Sequence, residues 1–90
     1  MHFEWDANKA KKNLKKHKVS FKEASTVFND SLAITGEDPD HSGEEERMIT
    51  FGMSSLGRLL VIAHTDRGSS IRIISARLAT LTERRIYEEE

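Results

Sequence analysis

A chain of 90 residues that is 37% hydrophobic suits one small domain with a single core, near the lower limit of independent stability. With no cysteine it has neither a disulfide framework nor a thiolate metal site, and no apolar run approaches the roughly 18–20 residues of a membrane span. The formal net charge of −1 does not by itself suggest nucleic acid, but the charges are segregated.

Residues 1–22 carry seven lysines against Glu4 and Asp6. Residues 37–46 carry six acids and no Lys or Arg, and residues 47–82 carry five arginines against Asp66. A basic face is therefore compatible with the neutral sum. The opening MHFEWDANKAKK lacks the apolar core of a signal peptide, so a soluble cytoplasmic protein is expected.

In chain order, His2 to Trp5 reads as a short strand, with Phe3 and Trp5 alternating onto one face. Asp6 is a good N-cap and opens a helix to about Lys16 or His17. Ala7, Ala10 and Leu14 make its narrow apolar stripe. The lysines that cover the rest are either a solvated face or an RNA-contacting one. Ser20 and Glu23 have capping-box spacing and open a second helix, with Phe21, Ala24, Val27 and Phe28 as its buried stripe, ending near Asn29-Asp30. Leu32 and Ile34 begin a strand. The run EDPDHSGEEE, Glu37 to Glu46, reads as a loop by composition.

Arg47 to Met53 is the next strand, and Ser54 to Gly57 a turn. Arg58 to Arg77 then reads as an antiparallel hairpin turning at residues 66–70, with Leu59 to Ile62 and Ile71, Ile73 and Ile74 as its apolar runs. Runs this continuous predict the centre of the sheet, covered on both faces. Thr80 and Glu83 repeat the capping-box spacing before a last helix through Leu81, Ile86 and Tyr87. The order predicts an α+β fold: two N-terminal helices and one C-terminal helix around a mainly antiparallel sheet of four to five strands, within one domain over residues 1–90.

Several familiar chemistries lack a signature. No serine lies on a strand-to-helix elbow, no glycine-rich phosphate loop exists, and His2, His17, His41 and His64 have no metal-ligand spacing. His41 beside Asp38 and Asp40 offers a place for a stray cation. What remains is a set of cations with imidazole: Arg47, Arg58, Arg72 and Arg77 on adjacent strands or their ends, His64 on the central strand, and Lys16 and His17 at the end of the lysine helix.

Such a set suits metal-free cleavage of RNA. There the 2′-hydroxyl attacks the neighbouring phosphate, acid and base groups move protons, and fixed cations stabilise the charge that builds on phosphorus. Each residue also has a plain structural role open to it. Arg72 can pair with Glu45 or Glu46, and Arg77 can bridge to Glu83. His64 can be a packed strand histidine, His17 a helix cap, and Tyr87 core or interface. Arg72 and Arg77 differ in parity, so a regular strand would send them to opposite faces.

The motifs F-E-W-D-x-x-K-A-x-x-N-x-x-K-H-x-V-x-F (Phe3 to Phe21), E-E-R (Glu45 to Arg47), G-R-L-L-V (Gly57 to Val61), R-I-I-S-A-R-x-A-T (Arg72 to Thr80) and E-R-x-x-Y-E (Glu83 to Glu88) run in this order over nearly the whole chain. In them the sequence resembles the BrnT toxin family. The resemblance implies a RelE-like α+β ribonuclease toxin of a type II toxin–antitoxin pair, needing no cofactor. The implied partner is a BrnA-like ribbon-helix-helix antitoxin, through which alone operator DNA would be bound, in a homodimer or heterotetramer.

The resemblance places the family's basic positions on Lys16, His17, Arg47, Arg58, Arg72 and Arg77, with Glu83 and Tyr87 behind them, and of these Lys16, His17, Arg47, Arg72 and Arg77 are expected to act in catalysis. Arg58, His64, Glu83 and Tyr87 fall to substrate binding, His64 outside the recognised motifs. In this reading Arg72 and Arg77 hold the scissile phosphate, on the premise that the guanidiniums have no carboxylate partners. The rivals are a nucleic-acid-binding module without catalysis and a partner-binding domain whose arginines are all paired internally.

Overall fold

Phe3 and Trp5 alternate onto one side of the entry strand β1 (His2–Glu4), and both reach the second helical segment. Phe3 lies 5.3 Å from Phe28 between ring centres, and Trp5 meets Phe21 edge-on at 6.0 Å. Asp6 caps α1 (Ala7–His17) by accepting from the N–H groups of Asn8 at 2.8 Å and Lys9 at 3.0 Å. The helix ends at Lys18, which takes the left-handed conformation at φ 60° and donates its N–H to the Leu14 carbonyl. Ser20 caps α2 (Phe21–Thr26), which tightens into one 3₁₀ turn over Val27–Asn29.

The remaining elements are β2 (Ile34–Ser42), β3 (Glu46–Met53), β4 (Leu59–Arg67), β5 (Ser70–Leu78) and α3 (Leu81–Glu89). The structure, a computed structural model, describes residues 1–42 and 46–89, the side chains of residues 40–42 excepted.

The sheet order is β1-β5-β4-β3-β2, with β1 parallel to β5 and every other pair antiparallel. The expected α+β architecture holds, and the Arg58–Arg77 hairpin supplies its middle. Leu59 to Thr65 of β4 are all buried, as the continuous apolar run predicted. The main core forms on the face covered by α1 and α2. Val19, Phe21, Ala24 and Val27 meet Leu60, Ile62, Ile73 and Ala76 there. Gly52 of β3 lets the 3₁₀ turn approach, since a Cβ there would stand 2.6 Å from Val27 Cγ1. No helix among the described residues is long and apolar enough to cross a membrane.

One expectation is corrected. Residues 37–42 of the acidic stretch continue β2 rather than forming a loop, with Glu37 opposite Met48 and Ser42 opposite Glu46 across a register shift. The physical reason is that β2 is an edge strand. Its outer side needs no ladder partner, so an edge strand accepts a proline and charged residues; Glu37 is exposed, while Asp38 is buried beside Arg47.

Candidate functional site

A bulge in β5 settles the parity of the arginines. Ala63 pairs with Ser75 but His64 pairs with Ile73, so Ile74 is an extra residue. Arg72 therefore stands opposite Thr65 and Arg77 opposite Val61. Thr65 and Val61 are four residues apart on β4 and project from one face, the face turned away from α1 and α2. Arg72 and Arg77 share it, which a regular strand would forbid. Arg47 joins them: Met48 pairs with His64, so Arg47 stands one step on, opposite Thr65.

The premise that these guanidiniums lack carboxylate partners is contradicted. β1 pairs in parallel with β5 and sets Glu4 beside Arg72, whose Nη1 donates to Oε2 at 3.3 Å. The partner is thus Glu4, which no sequence spacing marked. Glu46 is exposed, and Glu45 lies outside the described residues.

Arg77 does bridge to Glu83, through two parallel hydrogen bonds of 2.7 and 2.8 Å. Glu83 also completes the expected capping box, accepting from Thr80 N–H at 2.8 Å while its own N–H donates to Thr80 Oγ1. The Arg77 fork, outweighing partial burial, holds the Glu83 carboxyl down at about 2. Arg47 lies 3.8 Å from Asp38 through Nε.

Arg58 is drawn elsewhere. It sits just before β4 and donates from Nε to Glu23 Oε2 at 2.9 Å, from Nη2 to Glu23 Oε1, and to the Lys18 carbonyl at 3.0 Å. Glu23 is 7% exposed and accepts also from Ser54 Oγ at 2.7 Å. This joint ties α2 to the turn between β3 and β4, on the helix-covered side of the sheet. Bonding to Arg58 lowers the acid's pKa against its burial, and the same bond raises that of Arg58.

Lys16, exposed, and His17, half-buried, close α1 on that side too. The expected set is thus split, with Arg47, Arg72 and Arg77 on one face and Lys16, His17 and Arg58 on the other.

His64 is a packed strand histidine, 1% exposed, with Phe28 edge-on at 5.0 Å. Its Nε2 lies 2.7 Å from Thr50 Oγ1, which lies 2.8 Å from Thr35 Oγ1, and its Nδ1 lies 3.0 Å from Asp66 Oδ1. Burial pushes its pKa down, with Asp66 opposing. Tyr87 donates to Asp30 Oδ2 at 2.6 Å, an oxygen that also accepts from the Met53 N–H. The hydroxyl therefore fastens α3 to the end of the 3₁₀ turn. The bond to Asp30 raises the Tyr87 pKa.

α3 contributes no buried residue. It leans on β3, where Ile86 lines an apolar hollow of about 320 Å³ with Ile34, Ile49 and Phe51. The side chains of Asp40 and His41, invoked above for a stray cation, lie outside the described residues.

Sequence reasoning missed Glu4, Glu23, Thr65 and Asn13 as members of these constellations. Asn13 had a visible signal, a polar residue interrupting a helix at a motif position. Its Nδ2 donates to the carbonyls of Val19 at 2.9 Å and Ala76 at 2.8 Å, and its Oδ1 accepts from Ala76 N–H at 3.1 Å. The paired residues of β1 run alongside β5 only from Ser70 to Arg72, so Asn13 takes the place of a strand partner two residues past the bulge.

The fold matches the crystal structure of the Brucella abortus ribonuclease toxin BrnT with a TM-score of 0.65, covering 89% of this chain and 97% of that one at 20% identity. No curated protein sequence matches the chain. The family model for the ribonuclease toxin BrnT of type II toxin–antitoxin systems matches residues 5–83. With the motif order, the mixed five-stranded sheet and nearly the full length in agreement, the chain belongs to the BrnT family of ribonuclease toxins, whose members act opposite an antitoxin.

Proposed function

We propose that this toxin is an endoribonuclease that cleaves RNA with arginine charge in place of a metal ion. A BrnA-like ribbon-helix-helix antitoxin neutralises it in a heterotetramer. The observation that carries the reading is the shared face of Arg47, Arg72 and Arg77, which the β5 bulge creates. A bulge that re-aims one cation beside another is a device expected next to a site.

The internal ion pairs differ in how readily a phosphate displaces them. Arg72 and Glu4 share one hydrogen bond of 3.3 Å, with their side chains 32% and 38% exposed. An exposed pair of this kind is worth about 0–1 kcal/mol, less than a charge-assisted bond to phosphate. Arg77 is held more firmly by its fork, and Arg58 more firmly still by a buried acid.

Arg72 is therefore the primary phosphate ligand, with Arg47 beside it. Arg77 stands four β4 residues away, about 13 Å along the strand, a span that RNA crosses with more than one phosphate. Arg77 thus binds the backbone next to the scissile group. Lys16 and His17 extend the contact around the β5 edge, where the His17 imidazole, unlike that of His64, can reach solvent for proton transfer. Arg58, Glu83 and Tyr87 hold the scaffold that positions these groups.

In the reaction the 2′-oxygen bonds to phosphorus as the bond to the 5′-oxygen breaks. This leaves a 2′,3′-cyclic phosphate and a 5′-hydroxyl end, with the guanidiniums stabilising the pentacoordinate charge. The test is purified toxin with RNA in excess chelator. Cyclic-phosphate ends that disappear when the RNA is replaced by a 2′-deoxy analogue support the reading, and intact RNA overturns it. The internal pairing of every arginine in the set favours a second reading, a partner-binding domain without catalysis. It predicts intact RNA and a stable complex with the antitoxin.

A further inference from the structure

Among the described residues two buried side-chain polar atoms have no hydrogen-bond partner: Nε of Arg47 and Oγ1 of Thr65. Extending the strand register by one residue sets them side by side. Thr65 pairs in register with Arg72, and Arg47 faces it from β3, one step past the Met48–His64 pair. Opposed residues of an antiparallel ladder project from the same face. Arg47, Thr65 and Arg72 therefore form one row across three strands, on the face that also carries Arg77.

Thr65 is only 5% exposed, and buried polar groups without partners are rare because each loses its hydration and regains nothing. Where they persist, an ordered water, an ion or a ligand group completes them. The chemistry of that group follows from the atoms. A guanidinium Nε–H only donates, and a threonine hydroxyl beside it can donate as well. Two guanidinium charges flank the hydroxyl, and the carboxylates now nearest them, Asp38 at 3.8 Å from Arg47 Nε and Glu4 at 3.3 Å from Arg72 Nη1, are the groups an incoming anion displaces. The missing group thus offers several lone pairs and negative charge, which describes a tetrahedral oxyanion rather than a neutral carbonyl or a cation.

We infer that Arg47, Thr65 and Arg72 form the seat of a single RNA phosphate, with the Thr65 hydroxyl donating to one of its non-bridging oxygens. The choice of RNA as the phosphate's source rests on the ribonuclease reading; the seat itself rests on the two orphaned donors. Thr65 is then a substrate-binding residue, and β4, otherwise a core strand, contributes to the site through it. The threonine adds what an arginine pair lacks, a short donor fixed by the sheet between two flexible forks.

The experiment compares wild type, Thr65→Val and Thr65→Ser. It reads binding of inorganic phosphate and of an uncleavable 2′-O-methyl RNA by NMR titration, alongside urea denaturation. Valine keeps the shape and removes the donor. Loss of one bond to a charged oxyanion is expected to weaken both ligands roughly tenfold. Stability should stay equal or rise, because no internal bond is lost. Serine should bind within about threefold of wild type.

Phosphate binding that depends on Thr65 in a protein that leaves RNA intact would uphold the seat while removing the ribonuclease reading. RNA cleavage and phosphate binding both unchanged in Thr65→Val would overturn the seat while leaving the ribonuclease reading in place. A valine variant that unfolds at lower urea, with its folded fraction binding phosphate as wild type does, would likewise overturn it.

Discussion

Replacing Asn13 with alanine isolates the joint between α1 and β5. The side chain makes three hydrogen bonds, to the Val19 carbonyl and to both backbone groups of Ala76, and is itself 7% exposed. Val19 and Ala76 are both fully buried, so alanine at 13 strands three main-chain groups that water reaches poorly. Each stranded group costs about 1–3 kcal/mol. The three share one neighbourhood and relax together, so a total of about 3–5 kcal/mol is expected, below the simple sum. Against a total stability of about 5–13 kcal/mol for a domain this size, that is a large fraction.

Urea unfolding followed through Trp5, the one tryptophan, reads the loss directly. The midpoint should fall sharply with an unchanged slope, and the thermal midpoint by about 15–30 °C. Lys12→Ala, one residue away and exposed, should move stability by no more than about 0.5 kcal/mol. A loss below about 1 kcal/mol for Asn13→Ala would refute the clamp, and with it the account of how the segment carrying Arg77 is fixed.

Gly52→Ala should cost about 1–3 kcal/mol in the same assay, because its Cβ would stand 2.6 Å from Val27 Cγ1; an unchanged midpoint would mean that the 3₁₀ turn yields freely. Glu83, held at about 2 when folded, stabilises the protein above the ordinary carboxylate range, and that contribution fades as pH falls toward 2. With the Arg77 side chain 41% exposed, screening leaves about 1 kcal/mol of it, so Glu83→Gln should match wild type near pH 2 and trail it at pH 7. Burial depresses the His64 pKa, so its contribution is present above about pH 6.5 and lost as pH falls. Denaturation at pH 7.5 and 5.5 should show that loss in wild type and not in His64→Gln, and equal slopes with pH would count against it.

The elements were legible because their signals are local. Asp6 and Ser20 cap helices with their own side chains, and the apolar run of β4 marks a strand covered on both faces. The acidic stretch reads as a loop because its composition is polar, and an edge strand, with one side free of ladder partners, tolerates the same composition. The site was less legible because its decisive features are matters of register. Nothing in the spacing of Arg72 and Arg77 announces that Ile74 bulges. Glu4 lies 68 residues from Arg72 along the chain and reaches it through a parallel pairing. The Arg77–Glu83 bridge was visible, since its ends lie six residues apart across the short connection from β5 to α3. Thr65 was invisible, because a threonine in a core strand is ordinary until its hydroxyl is found without a partner.

The split of the arginines between two faces is tested most directly by RNA cleavage with Arg72→Ala beside Arg58→Ala, each scaled to its folded fraction. The account predicts a fall of about 10²–10³ for Arg72→Ala at nearly unchanged urea midpoint, as for removal of a group that stabilises transition-state charge. Arg58→Ala, which strands the buried Glu23, should lose stability while its folded molecules still cut RNA. Cleavage by Arg72→Ala at the wild-type rate, or its loss in folded Arg58→Ala alone, would contradict it.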